Sequence, residues 1–235
     1  MDKKIFYIPA AIIIAGLIIA GALIFTRKPV SAPGLLNNSP SPTPESTGNV
    51  NVVSDKDHIR GDINAPLTII EYSDTECPFC KKFQETMQQL MDVYGKEGKI
   101  KWVYRHFPLD ALHTKSRKES EATECAAELG GNEKFWAYLD RIYEITPSND
   151  GLDPKQLLVI AEYLGLDKKA FEDCLNSGRH AQDVEDNYQK GLKAGVQGTP
   201  FSIIITKDNE QIPINGALPY SQLKIGIDQL LAEGS

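Results

Sequence analysis

Residues 67–80 read Leu-Thr-Ile-Ile-Glu-Tyr-Ser-Asp-Thr-Glu-Cys-Pro-Phe-Cys, and the fold follows from how this stretch divides. Its opening, LTIIEY, is β-branched and aromatic around one acid, the pattern of a buried strand. Its end sets Cys77 and Cys80 two residues apart, with Pro78 directly after the first cysteine. Proline suits the first turn of a helix, where its missing N–H removes no helical hydrogen bond. Phe79, Phe83, Met87, Leu90, Met91 and Tyr94 then recur at helical spacing over residues 78–94. A second strand follows at 100–104 (IKWVY). Strand, helix and strand in that order predict a parallel pair joined by a crossover helix.

That placement gives the cysteines their chemistry. The first N–H groups of a helix lack intrahelical partners and carry partial positive charge, so a thiolate on Cys77 is stabilised there. Cys77 reads as the outer sulfur that meets a substrate. Cys80 reads as the buried partner that resolves the mixed disulfide. A zinc pair and an inert structural pair are the alternatives. Zinc requires two further ligands, whereas Cys125 and Cys174 fall in separate predicted helices, and His58, His106, His113 and His180 show no ligand spacing. We therefore expect no metal site and no bound cofactor.

Beyond residue 104, helical periodicity appears around 122–129, 135–143, 157–164, 171–175 and 184–192, punctuated by Gly130, Gly151, Gly165 and Gly178. Strand character returns at 201–206 and 211–215, and an amphipathic helix closes the chain at about 220–232. The order is β-α-β, a helical block, then β-β-α. This predicts an α/β, thioredoxin-like fold over 58–235 with a helical insertion at about 107–198.

The N-terminus has a different composition. Residues 5–25 are apolar and uncharged, and such a helix would rise roughly 31 Å, the thickness of a bilayer core. Residues 1–28 read as a retained transmembrane signal anchor, with a cleaved signal peptide as the alternative. Residues 29–57, rich in Pro and Ser, read as a linker. The expected location is the cell membrane, single-pass, with the catalytic domain on the extracytoplasmic side, or secretion if the segment is cleaved. A net charge of −7, with no interleaving of aromatic and basic residues, argues against nucleic acid as a partner.

The segments APLTIIEYSD (65–74), CPFC (77–80), RHFPL (105–109) and GVQGTPF (195–201) stand in one order along the chain. Together they resemble the DsbA-like thioredoxin family of extracytoplasmic disulfide oxidoreductases, over about three quarters of the chain. The resemblance implies a cis Thr199–Pro200 bond beside the cysteines, where Thr199's backbone can pair with an extended substrate. Pro78 and Phe79 would border that substrate groove. It also implies that Glu71, six residues before Cys77, is a buried acid able to accept the Cys80 proton; an exposed strand-edge acid is the alternative. In an oxidising compartment Cys125 and Cys174 would form a structural disulfide, as similar pairs do in some relatives, or else remain two buried thiols. Phe79 departs from the His found there in strongly oxidising members, and Glu76 beside Cys77 is expected to oppose a thiolate.

The implied activity is a membrane-anchored oxidase that introduces disulfides into exported proteins. It would be reoxidised by a quinone-coupled membrane oxidase of the DsbB or vitamin-K-epoxide-reductase type. A disulfide reductase or isomerase, and a non-catalytic client-binding module, are the alternatives.

Overall fold

The computed structural model describes residues 53–233. The signal-anchor reading of 5–25 and the linker reading up to 52 lie outside the described residues. Among the described residues, no helix is long and apolar enough to cross a membrane.

Five strands form one sheet: β1 (His58–Gly61), β2 (Leu67–Ser73), β3 (Ile100–His106), β4 (Phe201–Ile205) and β5 (Gln211–Asn215), in the spatial order β1-β3-β2-β4-β5. Residues 67–73 supply the central strand. All seven residues of β2 are buried, as a strand covered on both faces requires. It runs parallel to β3 and antiparallel to β4. The parallel pair is joined by helix α1 (Pro78–Leu90), whose last turn opens into a π-helical stretch at Met91–Gly95.

Four helices follow: α2 (Ser116–Ile145), α3 (Gln156–Tyr163), α4 (Lys168–Ser177) and α5 (Ala181–Lys193). Helix α6 (Tyr220–Glu233) closes the chain. The two periodic runs at 122–129 and 135–143 lie in the single helix α2, broken locally at Gly131, where φ is 73° and ψ is −173°. Only a residue without Cβ adopts that conformation freely.

Alternation along β2 sorts its side chains between two layers. Ile69 joins Phe83, Met87 and Leu90 of α1 and Leu223 and Ile227 of α6 in one core. Ile70 and Tyr72 join Val103, Phe107, Val196 and Ile203 in the core on the other face. There α5 approaches so closely that a Cβ on Gly191 would lie 2.5 Å from the Phe107 ring. The helical block has its own core around Tyr138, Ile142, Phe171 and the Cys125–Cys174 disulfide, whose Cα atoms are 5.9 Å apart.

Strand β1 was not foreseen. It pairs antiparallel with β3, and its outer side is capped by Asn132, which accepts from Ile59 N at 3.1 Å and donates to Ile59 O at 2.7 Å. The opposite edge strand, β5, carries Pro213. Asp57, placed in the linker by composition, is bound to the buried Arg105 guanidinium at 2.7 and 3.0 Å. The folded body therefore includes residues before 58.

Candidate active site

Cys77 is the N-cap of α1, with extended backbone angles (φ −77°, ψ 121°) and Pro78 as the first helical residue. Local sequence accounts for this: Pro78 cannot continue a hydrogen-bonded turn behind it but fits the helix start. The Cys77 N–H donates to Asp74 O at 3.1 Å, and its carbonyl accepts from Lys81 N at 3.0 Å. Both cysteines are free thiols in the structure, Cys77 4% exposed and Cys80 fully buried. Pro78 and Phe79 project outward, and Phe79 is 64% exposed.

The two thiols are driven in opposite directions. The Cys77 thiol is lowered from 9.0 to about 6, first by its hydrogen bond with Cys80, against the cost of burial, with help from Thr199 and the backbone N–H groups of Cys80 and Phe79. Cys80 is pushed well above 9.0 by burial and by the neighbouring Cys77. Cys77 is therefore the thiolate at neutral pH and Cys80 the thiol, which is the asymmetry that ordered exchange needs.

The loop before β4 closes the site. The Thr199–Pro200 peptide is cis, and the Cys77 Sγ lies 3.5 Å from Thr199 O. The chain thus brings residues 77 and 199 together across the helical block. The Thr199 hydroxyl is buried without a conventional partner.

Beneath the pair lies Glu71 on β2, fully buried. Its Oε2 accepts from the Trp102 indole N–H at 2.9 Å, and its Oε1 has no hydrogen-bond partner. Burial raises this carboxyl from 4.5 to about 7, opposed by Ser73 and Trp102 and reinforced by the charge of Cys77. Such a group exchanges its proton near neutral pH, as acid–base work on a thiol requires.

Ser73 escaped the sequence reading. Its hydroxyl meets Tyr143 OH at 3.0 Å, Tyr143 OH meets Tyr104 OH at 3.0 Å, and Ser73 favours the anion of Cys80. The signal was present, since strand alternation places residue 73 on the same face as 69 and 71. His113 is buried against Asp74 at 3.1 Å. Glu76 is also buried, and its carboxylate is hydrogen-bonded to Thr146, Gly151 and Leu152. The expected simple opposition to the thiolate overlooked these partners. His180 gathers with Cys125 and Cys174, but those sulfurs are bonded to each other and offer no thiolate ligand.

A family model described as thioredoxin matches residues 53–228. The chain belongs to the thioredoxin family. Among solved structures, this thioredoxin-like chain superposes on Wolbachia pipientis alpha-DsbA1 with a TM-score of 0.69 at 21% identity, covering 80% of this chain and 97% of that one. Pseudomonas aeruginosa DsbA2 gives 0.62 at 26% identity, covering 77% and 96%. Oxidised BdbD from Bacillus subtilis gives 0.66 at 20% identity, covering 75% and 93%. The fold is the DsbA-like form of thioredoxin with its helical insertion.

Among curated proteins, the Na(+)/H(+) antiporter NhaA 3 of Salinispora tropica is 35% identical over 151 residues, 64% of this chain. The alignment takes in 22% of that antiporter's length, so its transport activity is not carried over. These findings correct the single-pass location expected from residues 5–25. The matching curated relatives are named as antiporters, and no described helix can cross a bilayer. That location is withdrawn.

Proposed function

We propose that this protein is a thiol–disulfide oxidoreductase and works as an oxidase, passing a Cys77–Cys80 disulfide to protein thiols. The observation that carries the reading is the stabilised Cys77 thiolate, lowered to about 6. Whatever favours the reduced, thiolate form makes the corresponding disulfide a stronger oxidant. A substrate thiolate attacks Cys77 Sγ, the Cys77–Cys80 bond breaks, and Cys80 leaves with the electron pair and takes a proton. A second substrate thiolate then attacks the substrate sulfur of the mixed disulfide. The substrate disulfide forms and Cys77 departs as the thiolate. Glu71, which titrates near 7, supplies the proton to Cys80 and takes it back when Cys80 attacks in reverse.

Pro78 and Phe79 offer an exposed apolar contact beside the sulfur, and the Thr199–Pro200 loop offers backbone to an extended chain. The substrates in this reading are proteins with free thiols, and the reoxidant is a quinone-coupled membrane oxidase of the DsbB or vitamin-K-epoxide-reductase type.

Equilibration with glutathione tests the direction. At a poise of about −200 mV, an oxidase should stand mostly as the dithiol. A pair standing mostly as the disulfide at that poise would make the protein a reductant.

A further inference from the structure

Glu76 immediately precedes Cys77 and is fully buried. Its Oε1 accepts from Thr146 Oγ1 and Leu152 N, both at 3.1 Å, and its Oε2 accepts from Gly151 N at 3.1 Å. Its backbone carbonyl accepts from Asn149 N at 2.8 Å. All four donors belong to the loop at 146–152, between α2 and α3 in the helical block; from α2 itself the buried Glu119, its carboxyl raised to about 8 chiefly by burial, also faces Glu76.

That loop is shaped around the carboxylate. Ser148, Asn149 and Asp150 have φ of 67°, 56° and 61°, three consecutive residues in a region that L-amino acids enter rarely even singly. Backbone held this way persists only where the surroundings over-determine it, and such places cluster at functional sites. The Asp150 carboxylate accepts from Thr114 N, Thr114 Oγ1 and Lys115 N, and Lys115 Nζ donates to the carbonyls of Asp150 and Leu152. From the other side Lys81, one turn into α1, donates its Nζ to Thr146 O at 2.6 Å. The loop therefore grips the chain on both flanks of Cys77, at 76 and at 81.

We propose that Glu76 is a positioning residue for thiol–disulfide exchange: held by loop 146–152, it keeps Cys77 at the head of α1 with its sulfur against Thr199 and the first N–H groups of the helix. It acts through Cys77 and needs no contact with substrate. The helical block thereby sets the reactivity of a cysteine in the thioredoxin core.

Simple electrostatics predicts the opposite of positioning, which makes the idea testable. A carboxylate next to a thiolate disfavours it, so deleting the charge should increase the thiolate fraction. Loss of alignment should decrease it. In Glu76→Gln the side-chain amide would set a donor against the backbone donors of the loop. Thr146→Ala removes one donor without touching any charge, and Thr146→Ser restores that hydroxyl.

The measurement is the rate of iodoacetamide alkylation at Cys77 against pH, on the reduced full-length protein, with the modified sulfur located by fragment-ion mass spectrometry. The midpoint should rise by about one pH unit in Glu76→Gln and in Thr146→Ala, a loss of about tenfold in rate on the acid side. Thr146→Ser should return to the wild-type midpoint. A lowered midpoint in Glu76→Gln would make Glu76 an electrostatic brake and overturn the proposal. An unchanged midpoint with reduced urea stability would make it structural only and overturn it equally. If Glu76→Gln does not fold, the Thr146 pair decides, because equal midpoints in its Ala and Ser variants would refute the positioning role.

Discussion

Replacing Glu71 by Gln should change how the reduced protein's stability depends on pH, and the size of the change can be worked from the site. The carboxyl titrates at 4.5 in the unfolded chain and at about 7 when folded, chiefly because burial penalises its anion. Between those values the folded state binds more protons than the unfolded state, so stability falls as pH rises. Each unit is worth about 1.36 kcal/mol, so holding the anion in this dry layer costs the folded state about 3 kcal/mol above pH 7, and nothing below about pH 4. Gln cannot ionise. Its oxygen can still accept from the Trp102 indole, as Glu71 does at 2.9 Å. Its amide would occupy the place of Oε1, which has no partner, and an unsatisfied amide there costs about 1–3 kcal/mol at every pH. Wild type should therefore be the more stable protein near pH 4.5. The variant should gain on it by about 3 kcal/mol by pH 8.5, reaching or passing it. Urea unfolding of both proteins in a phosphine reductant, at several pH values across that range, measures the difference directly. Titrations common to both proteins cancel in it. A difference that stays constant with pH would mean that Glu71 ionises like an exposed acid, and would refute both the linkage argument and its proposed proton traffic with Cys80.

Three further outcomes follow from particular contacts. Thr199→Val removes a hydroxyl that helps lower Cys77, so the alkylation midpoint should move up from about 6; no movement would leave the backbone and Cys80 as the sole causes. Asp57→Ala strips a bidentate carboxylate from Arg105, which is fully buried, and should destabilise the fold by about 3 kcal/mol in urea titrations; a loss under about 1 kcal/mol would mark the pair as an ordinary surface one. Replacing both Cys125 and Cys174 by Ala opens a loop with a sequence separation of 49 and should cost up to about 4 kcal/mol, while graded reduction of the native protein should open Cys77–Cys80 first, as mass mapping would show. Opening of the Cys125–Cys174 bond first would reverse the structural and reactive assignments.

The central part of the fold was legible because its signals are local. The β-branched run at 67–72, the proline after Cys77 and the heptad-like spacing from Phe83 to Leu90 each act within one turn or one strand. The meeting of Cys77 with Thr199 came from family resemblance alone, since no spacing rule reaches across the helical block. What went unread was decided by distant partners. His58–Gly61 is too short and too polar to show a period, and it is a strand because β3 offers it a ladder. The break in α2 falls at Gly131 rather than Gly130, and two adjacent glycines give composition no means of choosing between them. Glu76 looked like a charge opposed to Cys77 because its neighbours in sequence say nothing of donors some seventy residues later. Ser73 was missed by attention to residue type, although its position on the strand pointed inward.

The two ends of the sheet have a consequence for what the protein can hold. An open sheet normally invites any extended chain to add itself at either border, including another copy of the same protein. Here the Ile59 backbone on β1 is already matched by a side-chain amide from Asn132, which imitates one residue of a missing neighbour strand. On the far border, Pro213 withholds an N–H from β5. A protein whose proposed task is to handle unfolded, thiol-bearing chains is thus poorly templated for stacking on itself, and its appetite for extended polypeptide is directed toward the loop beside its reactive sulfur.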